Sequence, residues 1–326
     1  MKEKNNNTAP LFILNLIFVV ISSSAIAEQY YSGLPTRSQN PLLQSYFIPA
    51  IPVTSPDAWT FSQALYFTNT YQLDKSSTEE LVIDVENTRF DFQLSYSKEH
   101  WHFNINGSLI SNRAGYLDQT IQSWHDIFGL PQGGRDLAEN DQINLFYQKD
   151  GVNIIDSQQS NEGLGDIQIA IGYQLNTSSQ LWFALELPTS SSSEFISNDA
   201  IDAAIWYSSQ SQSTGDLSLY GTLGLAFPAN NGILENQLNN QFGFGQLGLN
   251  YALSSSYQLI LQADFHSQIV DESNLDALDH SLQAQFGLRF PTLFENYQLD
   301  LFFSEDIFPG HAPDITFGLR FSPSLN

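Results

Sequence analysis

Six histidines, His100, His102, His125, His266, His280 and His311, are the obvious candidates for acid–base chemistry in a chain of 326 residues that has no cysteine. The missing cysteine removes thiol nucleophiles, thiolate metal sites and disulfide frameworks together. His266 stands two residues from Asp264, so in an extended chain the two side chains share a face and are close enough to pass a proton. Such a pair inside a protein is ordinarily structural. Trp124-His125-Asp126 also sets a His beside an Asp, but adjacent helical positions point apart. No histidine lies in a His-x-Ser-Asn-Gly arrangement, and the serine run at 190–193 reads as a loop. No His-x-x-x-His or carboxylate cluster at metal spacing occurs, so no catalytic residue, metal or cofactor is expected. An outer-membrane lipid hydrolase is the enzymatic alternative. Asp271-Glu272, Asp276, Asp279 and Glu305-Asp306 form acidic loops, either solvated or holding divalent cations against lipopolysaccharide phosphates.

The charge balance narrows the partners. Asp and Glu number 35 against 11 Lys and Arg, a formal charge of −24, which excludes nucleic acid. With 13% aromatic residues, the chain is too aromatic for a disordered acidic tail. Lys2 and Lys4, the apolar run from Leu11 to Ile21 and the small-residue site Ala25-Ile26-Ala27 read as a signal peptide, residues 1–27, cleaved after Ala27. Beyond it no stretch is apolar enough for a helical span.

The elements that must position any site alternate with period two. Trp59, Phe61, Leu65 and Phe67 open the series. Phe90, Phe92, Leu94 and Tyr96 follow, then Trp101, Phe103, Ile105 and Leu109, and the pattern runs on to Ile315, Phe317, Leu319 and Phe321. Arg89, Asp91, Glu186, Asp202, Asp264, Arg289, Asp300 and Arg320 all fall on the opposite parity, otherwise filled by Gln, Asn, Ser and Gly. A soluble sandwich or lipocalin-like barrel would put Lys and Glu on its outer face. Apolar residues facing lipid and a sparsely charged lumen fit an all-β, transmembrane antiparallel β-barrel over residues 58–322. Short connections at 97–100, 176–180, 210–215, 254–256 and 291–296 alternate with long ones, which gives about twelve crossings. Residues 28–57 are then an N-terminal periplasmic or lumenal segment. Residues 112–163 form one external excursion with a helix over 117–129 and a hairpin over 142–156 about Lys149-Asp150-Gly151.

The excursion carries Leu117-Asp118, Ile121 and the run Trp124-His125-Asp126-Ile127-Phe128-Gly129-Leu130-Pro131-Gln132-Gly133-Gly134-Arg135. Gly163-Leu164-Gly165-Asp166, Leu187-Pro188-Thr189, Ser304-Glu305-Asp306 and Ala312-Pro313-Asp314 follow it, and Asn40-Pro41-Leu42 with Ile48-Pro49 precede it. In this order, over nearly the whole mature chain, the motifs resemble the Gram-negative envelope family termed domain of unknown function 3187. The Gly-Leu-Gly-Asp strand start is more distantly similar to outer-membrane proteins of the phenol and aromatic degradation (MetA-pathway) type. The family usually has a Lys before its Leu-Pro-Thr and a Gly after it, where this chain has Glu186 and Ser190. The resemblance implies a barrel in the outer membrane of a Gram-negative bacterium and brings no established activity.

The function expected is a passive channel for small molecules, apolar or aromatic ones included. Its pore-lining candidates are Arg89, Asp91, Trp182, Glu186, Trp206, Asp264, His266, Arg289, Asp300 and Arg320, with Tyr66 and Tyr220 on the same parity. Trp124, His125 and Arg135 are gate candidates; the alternative for Trp124 is a helix anchor. A non-conducting structural or surface-interaction barrel is the other reading, with the same lumenal charges as a static plug. The expected partners are outer-membrane lipid and lipopolysaccharide, the barrel-assembly machinery during biogenesis and a small-molecule solute.

Overall fold

A computed structural model describes residues 33–35, 40–46, 49–52, 54, 58–129, 139–190, 195–211, 216–294, 297–307, 311–313 and 315–323. The wall begins with β1 (Trp59–Lys75), β2 (Glu79–Lys98) and β3 (Trp101–Arg113). After an excursion it continues through β7 (Ile167–Asn176), β8 (Ser179–Leu187), β9 (Asp202–Gln210), β10 (Leu217–Phe227), β11 (Phe242–Ser254), β12 (Tyr257–His266), β13 (Ser281–Phe294), β14 (Tyr297–Asp306) and β15 (Ile315–Pro323). Each pairs antiparallel with its neighbour, β3 pairs with β7, and β1 pairs with β15, so twelve strands close on themselves with no free edge. The excursion holds helix α1 (Asp118–Phe128) and a hairpin of β4 (Asn144–Lys149) and β5 (Val152–Ser157), then β6 (Asn161–Leu164), which pairs with the upper part of β3. The hairpin turns on Asp150 and Gly151, both at positive φ.

Side-chain parity sets the inside and the outside. Phe61, Phe103, Ile171, Phe183, Leu219, Leu223, Leu247, Phe286, Leu301 and Phe317 are all exposed on the outer face, Leu223 at 55%. Every lumenal charge between the short turns and the strand centres is buried, and Asp300 has 0% of its surface exposed. That is the reverse of a water-soluble protein, and the contiguous apolar exterior requires an apolar surround. At the end carrying the short turns and the barrel's first and last strand ends, outward rings pair up: Trp59 with Tyr96 at 4.7 Å, Trp101 with Tyr173 at 4.9 Å, Tyr257 with Phe290 at 5.6 Å and Tyr297 with Phe321 at 4.7 Å. Such a girdle belongs at a membrane–water interface.

At the opposite end the polarity inverts. β1 and β2 run well past the others as a hairpin over 69–88, between the alternating sets that end at Phe67 and begin at Phe90. In this extension Leu81, Ile83 and Val85 point inward and are buried, on the parity that carries Arg89 and Asp91 lower down. Above the membrane the outer face meets water, so the apolar residues move to the inner face. There they join Leu145, Tyr147 and Ile155 of the hairpin, Phe242 and Phe244 of β11, Ile269, Val270, Leu275 and Leu278 of the connection after β12, and Leu42, Leu43 and Tyr46. A conventional apolar core therefore fills the outer end of a barrel whose middle is polar.

Candidate functional site

The candidate site is the lumen, and register fixes its layers. One row of inward positions runs Asp91–Ala64–Arg320–Asp300–Arg289 across five neighbouring strands. Arg289 grips Asp300 with both arms of its fork, Nε to Oδ1 at 2.7 Å and Nη2 to Oδ2 at 3.1 Å. Arg320 approaches Oδ2 from the other side, with Nε at 3.0 Å and Nη2 at 2.5 Å. Four N–H donors thus take up the lone-pair sites of one carboxylate. Arg89 binds Asp91 through Nε at 2.8 Å and donates to Ser108 Oγ at 3.1 Å. A third buried aspartate at this level, Asp264, accepts from both Gln262 and Gln285. Three arginines therefore face three aspartates, and the middle of the lumen is nearly balanced in charge. His266 parts from Asp264: its Nδ1 meets the Ser267 carbonyl at 3.0 Å and its ring lies edge-on to Phe242.

The wall across the lumen is aromatic. His102 stacks on Trp182 at 5.7 Å, Trp182 on Trp206 at 5.8 Å with planes 5° apart, and Trp206 meets Phe244 edge-on at 6.4 Å. The rings lie along the wall because glycines on adjacent strands leave them room: a Cβ at Gly172 would stand 2.7 Å from the Trp182 ring, and one at Gly224 would stand 2.5 Å from Phe244. Tyr220 and Phe302 lie over Gly248 and Gly318 in the same way. Trp182 Nε1 donates to Gln180 at 3.0 Å. Among the described residues, Nε1 of Trp206 and both amide ends of Gln168 and Gln246 are buried with no protein partner. Such groups need water or a ligand.

The N-terminal segment reaches into this space. Leu34 donates its N–H to Gln262 Oε1 at 2.9 Å and Gln285 Nε2 reaches the Pro35 carbonyl at 3.2 Å, which places residues 34–35 beside Asp264. Further out, Gln44 bonds Asn87, Asn112 and the Phe195 carbonyl, and the Tyr46 hydroxyl accepts from Leu234 N–H at 2.8 Å.

Of the residues singled out from sequence, Arg89, Asp91, Trp182, Trp206, Asp264, Arg289, Asp300 and Arg320 all line the interior and are buried. Glu186 is half-exposed at the outer end of β8, across from Asp202. Trp124 and His125 lie on α1, but their side chains are outside the described residues, as is Arg135 altogether. Gln168, Gln246, Gln262 and Gln285 were not singled out, although their lumenal parity was a usable signal.

Two of the sequence motifs meet at the outer rim. Asp166 accepts N–H groups of Thr189 and Ser190 at 3.0 Å each and the Ser197 hydroxyl at 2.6 Å, while Thr189 Oγ1 accepts from Ile167 N–H at 2.9 Å. Gly-Leu-Gly-Asp and Leu-Pro-Thr are thus two halves of one clamp. Asp118 accepts from Asn69 and from Asp141 N–H, which ties α1 to β1.

The family described as "Protein of unknown function (DUF3187)" matches residues 9–322. A comparison with curated protein sequences finds no match. Among solved structures, the COG4313 outer membrane channel from Pseudomonas putida F1 superposes with a TM-score of 0.55 at 11% identity, covering 83% of this chain and 96% of that one. The Pseudomonas putida toluene transporter TodX gives 0.43 at 9% identity, covering 93% and 98%. The Ralstonia pickettii toluene transporter TbuX gives 0.42 at 8%, covering 89% and 99%.

Proposed function

The chain belongs to the DUF3187 family, and we propose that it is a passive channel for small molecules, apolar or aromatic ones included, in the outer membrane of a Gram-negative bacterium. The observation that carries this reading is the two-sided lumen. One wall is locked by Arg289, Asp300 and Arg320, while the other is lined by the stacked indoles of Trp182 and Trp206 beside the unpartnered groups of Trp206, Gln168 and Gln246. Planar rings stack on indole, and the unpartnered amides suit water or a polar substituent. Near-balanced charge in the middle leaves no strong preference for either ion sign.

Conductance in planar bilayers tests this. Discrete current steps are expected from the mature protein, with partial block by benzoate that weakens in Trp206→Ala. Replacing Tyr46 with Phe removes its bond to Leu234 and should lengthen the open times. Silence at all salts and voltages would support the second reading, a non-conducting structural barrel. That reading is favoured by the N-terminal residues lodged against Gln262 and Gln285.

A further inference from the structure

Two connections at the outer end, far apart in sequence, bring two imidazoles together. His280 precedes β13 and follows a short 3-10 turn, Asp276–Leu278; His311 lies between β14 and β15. Their ring centroids are 4.9 Å apart. One ligand atom from each of Asp279, His280 and His311 falls within 4.8 Å of the others, and Asp276 Oδ1 stands 4.0 Å from His311 Nε2.

The surroundings orient both rings. His311 Nδ1 lies 2.9 Å from the His280 carbonyl oxygen, which can only accept, so this nitrogen carries the proton and Nε2 carries the lone pair. His280 Nδ1 meets Asp279 Oδ2 at 2.8 Å, which assigns the proton in the same way. A backbone carbonyl or carboxylate behind the second ring nitrogen is the arrangement that orients metal-binding histidines. The loop is held as well: Asp306 Oδ2 accepts N–H groups of His311 at 3.0 Å and Ala312 at 3.1 Å, and Gln72 donates to the Ala312 carbonyl at 2.7 Å.

We propose that His280 and His311, with a carboxylate from Asp276 and with Asp279 orienting the His280 ring from behind, bind a single zinc ion that ties the connection before β13 to the connection before β15. Two imidazoles select a borderline transition-metal ion over calcium or magnesium, which take oxygen ligands. Donors at 2.0–2.2 Å from a tetrahedral ion stand about 3.3 Å apart, so these side chains close in by roughly an ångström, a movement that rotation of the exposed His280 and Asp276 side chains supplies. The ion would sit at the outer mouth and leave the lumen's own chemistry untouched.

The test uses untagged mature protein refolded in detergent and stripped with a chelator. Calorimetric titration should find one zinc ion per chain, not displaced by millimolar calcium or magnesium. Cobalt(II) in its place should give the visible absorption of a four-coordinate ion. His280→Ala and His311→Ala should each weaken binding at least tenfold, whereas His100→Ala, on the opposite end, should not. Zinc should also raise the melting temperature of the wild type and leave that of the double variant unchanged. Failure to bind one equivalent, or equal binding by the double variant, would overturn the proposal.

Discussion

Replacing Asp300 with Ala isolates the most concentrated interaction in the lumen. In the folded barrel its carboxylate takes four guanidinium N–H contacts between 2.5 and 3.1 Å and has no exposed surface. Arg289 and Arg320 are themselves nearly fully buried. Removing the acid leaves two like charges without a counter-ion in a region of low dielectric, a loss of about 3–5 kcal/mol for one broken buried pair. That corresponds to a folding equilibrium shifted roughly 150- to 5,000-fold. The converse variant tests the reason. Converting Arg289, Asp300 and Arg320 together to Met, Leu and Met removes the charges and their desolvation at once, and should cost less than Asp300→Ala alone. Urea unfolding of the refolded protein in detergent, followed by tryptophan fluorescence and by the mobility shift of the unboiled barrel, measures both. A loss below about 1 kcal/mol for Asp300→Ala, the range of solvent-screened pairs, would refute the reasoning. So would a triple variant less stable than the single one.

Gly172→Val and Gly248→Val should each destabilise the barrel by about 1–3 kcal/mol through overpacking, because their new Cβ atoms would stand 2.7 and 2.3 Å from the Trp182 and Tyr220 rings. Gly243→Ala, with nothing nearer than 3.9 Å, should be close to neutral in the same unfolding assay. At the tip of the β1–β2 hairpin, burial alone would raise the pKa of Glu79, but the N–H of Asn274, the Tyr147 and Ser273 hydroxyls and Lys149 outweigh it and hold the carboxyl below its ordinary range. A depressed carboxylate adds stability above its unfolded pKa, about 4.3, and loses it as pH falls through the folded value. The difference in urea midpoint between wild type and Glu79→Gln should therefore be level from neutral pH to about pH 5 and shrink on further acidification; a difference that grew in acid would contradict this.

The twelve-strand wall was legible because a lipid-facing strand must alternate without exception: one misplaced charge on Leu219, Leu223 or Leu247 would lie in hydrocarbon. The extension of β1 and β2 was not legible, since at about Asn87 the surround changes from hydrocarbon to water and the apolar parity shifts to Leu81, Ile83 and Val85. A search for one continuous phase reads that shift as a break. The lumenal candidates rest on parity, whereas their partners depend on register: Asp300 serves both Arg289 and Arg320 only because β14 lies between β13 and β15 in that alignment. The approach of His280 to His311 is a product of loop placement and leaves no spacing signal. The helix over 117–129 came from its Leu117, Ile121, Trp124 and Phe128 spacing, and α1 begins where Asp118 bonds Asn69.

The central claim, that one parity of each strand faces lipid and the other faces the lumen, is testable without background because the chain has no cysteine. Single cysteines from position 217 to 227 along β10, each carrying a nitroxide in lipid vesicles, report oxygen and nickel-chelate accessibility. Oxygen accessibility should oscillate with period two, with maxima at Leu219, Leu223 and Leu225 and minima at Tyr220, Thr222 and Gly224. Chelate accessibility highest at the leucines, or an oscillation in the opposite phase, would contradict the account.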